Sequence, residues 1–204
     1  MNNIEVELRG PLDDKGYLVL QKYLEDKGKH TSTQKRLFFD LSQTIGINNR
    51  TLDVRVKVTN GKIQIVTKRG EPGSASREEA EVSVEATNLH QALHVLSLLG
   101  YPKGVYGDRK IERYTVGEVE FAIQDVLTTN DEELHSRFYE AEIMSHADNK
   151  SEAEGQLRSL LTEIGLPVFD TEEWNEYEAM INKEANGWFD YSSTDISRFA
   201  NPTS

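Results

Sequence analysis

The chain has no cysteine among its 204 residues. That excludes disulfides, thiolate nucleophiles and any zinc site built on thiolates. No apolar run is long enough to cross a bilayer as a helix, and there is no signal-peptide pattern, so the expected setting is cytoplasmic with no membrane partner. Basic residues are the scarcer sign: 23 Lys and Arg stand against 35 Asp and Glu, for a net charge of −12. This balance argues against nucleic acid as a partner, although it permits a local basic cavity. No nucleophile-elbow pattern surrounds any serine or threonine. The length suits one domain with its own core.

What the chain does have is alternation. In Ile4-Glu5-Val6-Glu7-Leu8-Arg9 three apolar residues interleave with three charged ones. Along a strand, alternate side chains point to opposite faces, so Glu5, Glu7 and Arg9 share one face and Ile4, Val6 and Leu8 the other. A single such strand reads as an ordinary half-solvated one, but here the pattern recurs. Asn60-Gly61 between two alternating runs is a strong hairpin signal. A two-residue turn there pairs Thr59 with Lys62, Lys57 with Gln64 and Arg55 with Val66. Arg55, Lys57, Gln64 and Lys68 then line one face, and Val54, Val56, Val58, Ile63 and Ile65 the other. Arg77, Glu79 and Glu81 alternate again. A later strand over 137–144 carries Glu140 and Glu142 on one face.

Between the strands, Asp13 or Asp14 caps a helix through Tyr17, Leu20 and Leu24. A strand is expected over 35–40, with a polar loop over 41–49 and a Gly-, Pro- and Ser-containing loop over 71–76. Asn88 is placed to cap a helix through Leu99, stopped by Gly100 and Pro102. A hairpin over 109–125 turns at Gly117-Glu118. Ser151 with Glu154 and Asp170 with Glu173 have capping-box spacing for two further helices. His90 and His94 stand i, i+4 on a helix but lack a third ligand and read as an ordinary helix face. Trp174 and Tyr177 read as anchors of a helix to the core.

Acid pairs therefore stand near both ends of the strand sequence. The cations Arg55, Lys57, Lys68, Arg77, Arg109, Lys110 and Arg113 lie between them. Strand parity groups Arg109 with Arg113 and sets Lys110 on the opposite face, without deciding which group faces inward. A closed antiparallel barrel in an α+β protein, with a charged lumen and helices packed outside, explains this density of alternating charge. Such a lumen suits a polyphosphate. Cations orient phosphate oxygens, and Glu5, Glu7, Glu140 and Glu142 can hold Mg2+ or Mn2+.

Taken in order, these runs resemble the CYTH, or triphosphate tunnel metalloenzyme, superfamily. Glu5-Val6-Glu7-Leu8-Arg9 is similar to its ExExK signature, with Arg in place of Lys. Arg55-Val56-Lys57 resembles its RxR strand, Lys68 its following basic position, and Arg77 through Glu81 its RxExE strand. Asp125-Val126 and Glu140-Ala141-Glu142 resemble its late acidic strands. The resemblance spans residues 1–185 and leaves 186–204 as a C-terminal tail, flexible or docked. It implies an eight-stranded triphosphate tunnel that takes a triphosphate-bearing small molecule. Its metal ligands would be Glu5, Glu7, Asp125, Glu140 and Glu142, with Glu79 and Glu81 as further acidic candidates. Arg9, Arg55, Lys57, Lys68, Arg77, Arg109 and Arg113 would bind phosphate. Glu5, Glu7, Arg9 and Lys68 would act at the reacting centre. The expected reaction is hydrolysis of tripolyphosphate or an organic or nucleoside triphosphate, with metal-activated water attacking the terminal phosphorus. The alternatives are a class IV adenylyl cyclase and a non-catalytic polyphosphate-binding module. The oligomeric state is left open, a homodimer included.

Overall fold

The computed structural model describes residues 3–41, 52–70, 78–129 and 131–199. The expected loop over 41–49, apart from Leu41, which is buried in the core, the loop over 71–76 and Arg77 lie outside the described residues. The elements in chain order are β1 (Asn3–Pro11), α1 (Asp14–Lys27), β2 (Lys29–Asp40), β3 (Leu52–Thr59), β4 (Lys62–Arg69), β5 (Glu78–Val84) and α2 (Leu89–Leu98). They are followed by β6 (Lys103–Val116), β7 (Val119–Leu127), β8 (Leu134–His146), α3 (Lys150–Ile164), α4 (Thr171–Glu184) and β9 (Gly187–Asp190). No described helix is long and apolar enough to cross a membrane.

Eight strands form one antiparallel sheet in the order β1-β8-β7-β6-β2-β3-β4-β5, and short β9 adds to β6. The hairpin of β3 and β4 has the register its sequence dictates: Thr59 faces Lys62, Lys57 faces Gln64 and Arg55 faces Val66. Asn60 and Gly61 take φ of 47° and 77°, the paired positive values of the tight turn that Asn-Gly favours.

The sheet curls into a half-barrel and does not close, contrary to the expected closed barrel. Strands β1 and β5 are its two edges, with no hydrogen-bonded pairing between them among the described residues. Two features mark the open seam. It sets Glu79 of β5 and Glu5 of β1, which repel, on either side of Lys68, so side chains and not backbone pairing meet there. Part of the free edge of β1 is already taken, because the Phe169 amide donates to the Arg9 carbonyl at 2.9 Å.

The convex face is apolar and carries three helices. Val6, Leu8, Phe121, Ile123, Tyr139 and Ala141 pack under Leu20 and Leu24 of α1 and Leu157 and Leu161 of α3. Leu37, Phe39, Val54, Val56, Val58 and Ile63 pack under Leu89, Leu93 and Leu96 of α2. The C-terminal stretch is docked on this second cluster: Phe189 and Phe199 each meet Phe39 edge-on, with centroids 5.1 and 5.0 Å away.

Helix α4 departs from the expected arrangement of helices outside the sheet. It packs on the concave side, where Trp174 and Ile181 meet Val126 and Phe138. Those two strand residues share parity with Gln124 and Glu140, so they form an apolar step on an otherwise charged face. The step gives α4 a surface to bury, and the helix fills one end of the trough. Its start is the Asp170–Glu173 capping box, with both reciprocal hydrogen bonds made.

Candidate active site

The concave face holds a cavity of about 200 Å³. Because side chains alternate along a strand, each strand sends every second residue into it. Glu5, Glu7 and Arg9 come from β1, Arg36, Phe38 and Asp40 from β2, and Arg55 and Lys57 from β3. Lys68 and Glu79 come from β4 and β5, Arg109 and Arg113 from β6, Gln124 from β7, and Glu140 and Glu142 from β8. Helix α4 adds Trp174, Glu178, Ile181 and Asn182, and Asn186 follows it. Lys110, the residue of opposite parity, is left outside, half-exposed and 3.5 Å from Glu112.

One wall is acidic. Glu7 faces Glu142, and Arg9 faces Glu140, across the β1–β8 ladder. Burial pushes Glu142 up to about 7, and the charge of Glu5 adds to the shift. Burial likewise raises Glu5 and Glu140, with Glu7 adding to both. Burial would raise Glu7 as well, but Arg9 and Lys68 outweigh it and hold Glu7 well below the usual carboxylate range. Arg9 pairs with Glu7 and lies 4.3 Å over the Trp174 ring. Lys68 bridges Glu79 at 2.7 Å and Glu5 at 3.9 Å. Arg113 pairs with Glu120 and approaches Glu142 to 3.8 Å.

The cations differ in how far they are neutralised. Arg55 meets Asp40 at 3.1 Å, Asp53 at 3.2 Å and Glu178 at 3.9 Å, which ties three elements together. Burial alone would lower its pKa, but these carboxylates raise it. Arg36, Lys57 and Arg109 have no carboxylate within 4 Å among the described residues. Burial lowers all three: Lys57 to about 8, with Arg36 and Lys68 adding repulsion, and Arg109 to about 10. Such cations favour a bound anion, which would restore their lost stabilisation.

Two expected site residues are not brought to the cavity. Asp125 stands one residue beyond Gln124 and so points to the convex face. There it accepts from Arg137 Nε at 2.7 Å, and Arg137 lies 4.4 Å over the Tyr17 ring of α1. The motif resemblance suggested Asp125, and strand parity excludes it. Glu81, on the exposed edge strand, accepts from Gln64 at 3.1 Å and does not line the cavity. The sequence reading missed Arg36, Phe38, Asp40, Gln124, Glu178, Asn182 and Asn186. Alternation of Arg36, Phe38 and Asp40 with buried Leu37 and Phe39 was an available signal. The residues of α4 and its C-terminal end carried none, because their placement depends on where the helix docks. His90 and His94 lie on the helix surface beside Tyr191, which stacks on His94 at 5.4 Å.

Among the described residues, no three His, Asp or Glu side chains are gathered closely enough to form a ready-made metal cage. The donor chemistry nonetheless fits a hard divalent ion. The wall offers carboxylate oxygens, and the upward shifts of Glu5, Glu140 and Glu142, caused first by burial and then by neighbouring acids, mark carboxylates whose charge a cation would stabilise.

No protein-family model matches the sequence, and neither does any curated protein. Solved structures do match in shape. The PH1819 protein of Pyrococcus horikoshii superposes with a TM-score of 0.66 at 21% identity, covering 88% of this chain and 99% of its own. A proposed adenylate cyclase from Vibrio parahaemolyticus gives 0.58 at 15% identity, over 81% of this chain and 91% of its own. A chain of the Schizosaccharomyces pombe Mediator head module gives 0.51 at 10% identity, over 81% and 97%. At these identities the likeness concerns the fold alone: this chain shares the fold of the PH1819 protein and of the proposed V. parahaemolyticus adenylate cyclase.

Proposed function

We propose that this protein is a divalent-metal-dependent hydrolase of a triphosphate-bearing small molecule. The observation that carries this reading is the division of one cavity into a carboxylate wall and a set of buried cations that have no carboxylate within 4 Å among the described residues. Arg36, Lys57 and Arg109 are free to take phosphate oxygens, and Lys68 can exchange Glu5 or Glu79 for them. Such contacts are strong where water is excluded: two unit charges 4 Å apart interact by about 4 kcal/mol at an effective dielectric of 20.

Glu5, Glu7, Glu140 and Glu142 would hold Mg2+ or Mn2+, which would supply charge neutralisation of the phosphate oxygens and a more acidic water. The chain's own groups do the remaining work. Arg9, fixed by Glu7 and Trp174, orients the phosphate that lies against the acidic wall. Arg113, beside Glu142, limits how far that carboxylate can swing. Helix α4 closes one end and keeps bulk water from it.

Incubation with tripolyphosphate or ATP, each with Mg2+ or Mn2+, followed by ion chromatography of products, tests the reading. Orthophosphate with pyrophosphate from tripolyphosphate, or with ADP from ATP, supports it. The likeness to the proposed V. parahaemolyticus adenylate cyclase favours one second reading, in which ATP yields cyclic AMP and pyrophosphate. Detection of cyclic AMP would replace the hydrolase with that cyclase. The absence of any product would point to a binding module.

A further inference from the structure

At the end of the cavity closed by α4, Arg109 is held in an unusual way. Its residue surface is 6% exposed, yet no carboxylate lies within 4 Å of its guanidinium among the described residues. Both terminal nitrogens donate to the side-chain oxygen of Asn186 at 3.3 Å, and one also donates to the Asp108 carbonyl at 2.8 Å. The guanidinium lies 4.7 Å over the Phe38 ring. Among the described residues all its hydrogen-bond partners are neutral; the Asp108 and Glu178 carboxylates act on it only from beyond 4 Å and do not offset the cost of burying the charge.

The holder is itself fixed. Asn186 donates its side-chain nitrogen to Asn182 Oδ1 at 2.7 Å, which turns its oxygen toward Arg109. Its backbone amide donates to the Ile181 carbonyl at 2.9 Å. Across from it, Gly107 clears the space. A Cβ there would fall 2.2 Å from Asn186 Oδ1 and 2.8 Å from the Phe38 ring. Three sequence choices thus converge on one amide oxygen. An aspartate could accept the same two bonds from Arg109, though it could not donate to Asn182, and it would neutralise the cation.

We propose that Asn186 is a positioning residue: its neutral oxygen fixes the Arg109 guanidinium at the closed end of the cavity while leaving the charge available to a phosphate group of the substrate. The proposal rests on the triphosphate reading above. It assigns to the segment after α4 a part in anion recognition as well as in packing.

The test is calorimetric titration of tripolyphosphate into the wild type, Asn186→Asp, Arg109→Met and the double variant, with thermal melting of each. Asn186→Asp is expected to weaken binding about tenfold or more while its melting temperature holds or rises, because the new carboxylate pairs with Arg109. Arg109→Met should weaken binding similarly, and the double variant should bind no more weakly than Arg109→Met alone. Asn182→Ala, which frees the amide without adding charge, should weaken binding threefold or more and serves if Asn186→Asp folds poorly. Wild-type affinity in both Asn186→Asp and Asn182→Ala would overturn the proposal and leave the triphosphate reading intact. So would an equal loss from Asn186→Asp in the Arg109→Met background. A wild type that does not bind tripolyphosphate would overturn the triphosphate reading, and this role for Asn186 with it.

Discussion

The ammonium of Lys68 on β4 lies 3.9 Å from a carboxylate oxygen of Glu5 on β1. These strands are not neighbours in the sheet, so the contact crosses the open side of the half-barrel. The same ammonium holds Glu79 at 2.7 Å. One cation thus joins the two edges where backbone pairing does not. Lys68→Met should weaken tripolyphosphate binding by about tenfold, the loss expected for one charge-assisted contact of roughly 1.5 kcal/mol. Calorimetry measures it. The melting temperature should change little, since partly exposed ion pairs contribute about 0–1 kcal/mol.

Arg55 should behave in the opposite way. Its guanidinium faces Asp40, Asp53 and Glu178, and the first two are almost fully buried. Removing it takes away one charge that helps these carboxylates sit together at the junction of β2, β3 and α4. Arg55→Ala should cost about 3 kcal/mol or more of folding stability, as breaking a buried pair does. Urea unfolding measures this. A variant of wild-type stability with weakened binding would instead restore Arg55 to the phosphate-binding set.

The contrast between Arg55 and Arg109 marks the limit of what the sequence shows. Both stand at charged positions of alternating strands, but parity left open whether Arg109 or Lys110 faces the cavity, and the structure places Arg109 there. Arg55 is neutralised first by Asp40 and Asp53 of β2 and β3, whereas Arg109 is held by Asn186, which follows α4 and lies more than 60 residues away in sequence. Local patterns were readable where the physics is local. The β3–β4 register follows from the Asn-Gly turn, and the Asp170–Glu173 box forms as its spacing requires. The Ser151–Glu154 box does not form. Asn149 is the cap residue and makes no side-chain bond, while Glu154 instead accepts from Arg158 one turn later. Asn88 likewise caps α2 without a side-chain bond. The first half of β2, Lys29 to Gln34, carries no apolar alternation and is a strand because β6 pairs with it. Closure is the least local property of all, since it depends on two edges far apart in sequence and on the charges they bring together.

Lys57 gives a pH signature. Its ordinary pKa is near 10.5, and burial with the repulsion of Arg36 and Lys68 lowers it to about 8. Between about 8 and 10.5 the unfolded chain therefore holds more protons at this residue than the folded one. This group's contribution to stability rises with pH across that window. An anion bound beside Lys57 favours its charged form, so binding takes up a proton as pH approaches and passes 8. The stabilisation by tripolyphosphate, read as a shift in melting temperature, should be larger at pH 7 than at pH 9. In Lys57→Met that difference should largely disappear.

The acidic wall makes a prediction about divalent ions that is independent of product identity. Glu5, Glu140 and Glu142 are crowded acids in the free protein. A cation bound among them relieves their repulsion in the folded state alone, so Mg2+ or Mn2+ should raise the melting temperature in proportion to the logarithm of its excess over Kd. Glu5→Gln and Glu142→Gln preserve side-chain shape and remove ligand charge. Each should melt near the wild-type temperature without metal, or above it, because each removes one member of a repelling set. Each should lose most of the metal-induced shift. Turnover should fall by about a hundredfold or more, since losing roughly 3 kcal/mol of transition-state stabilisation has that effect. Chelation should do the same to the wild type, and added Mg2+ or Mn2+ should restore it. If both variants kept the full metal-induced shift and full turnover, the ion would have to bind elsewhere, and the carboxylate wall would be only a partner for Arg9, Lys68 and Arg113.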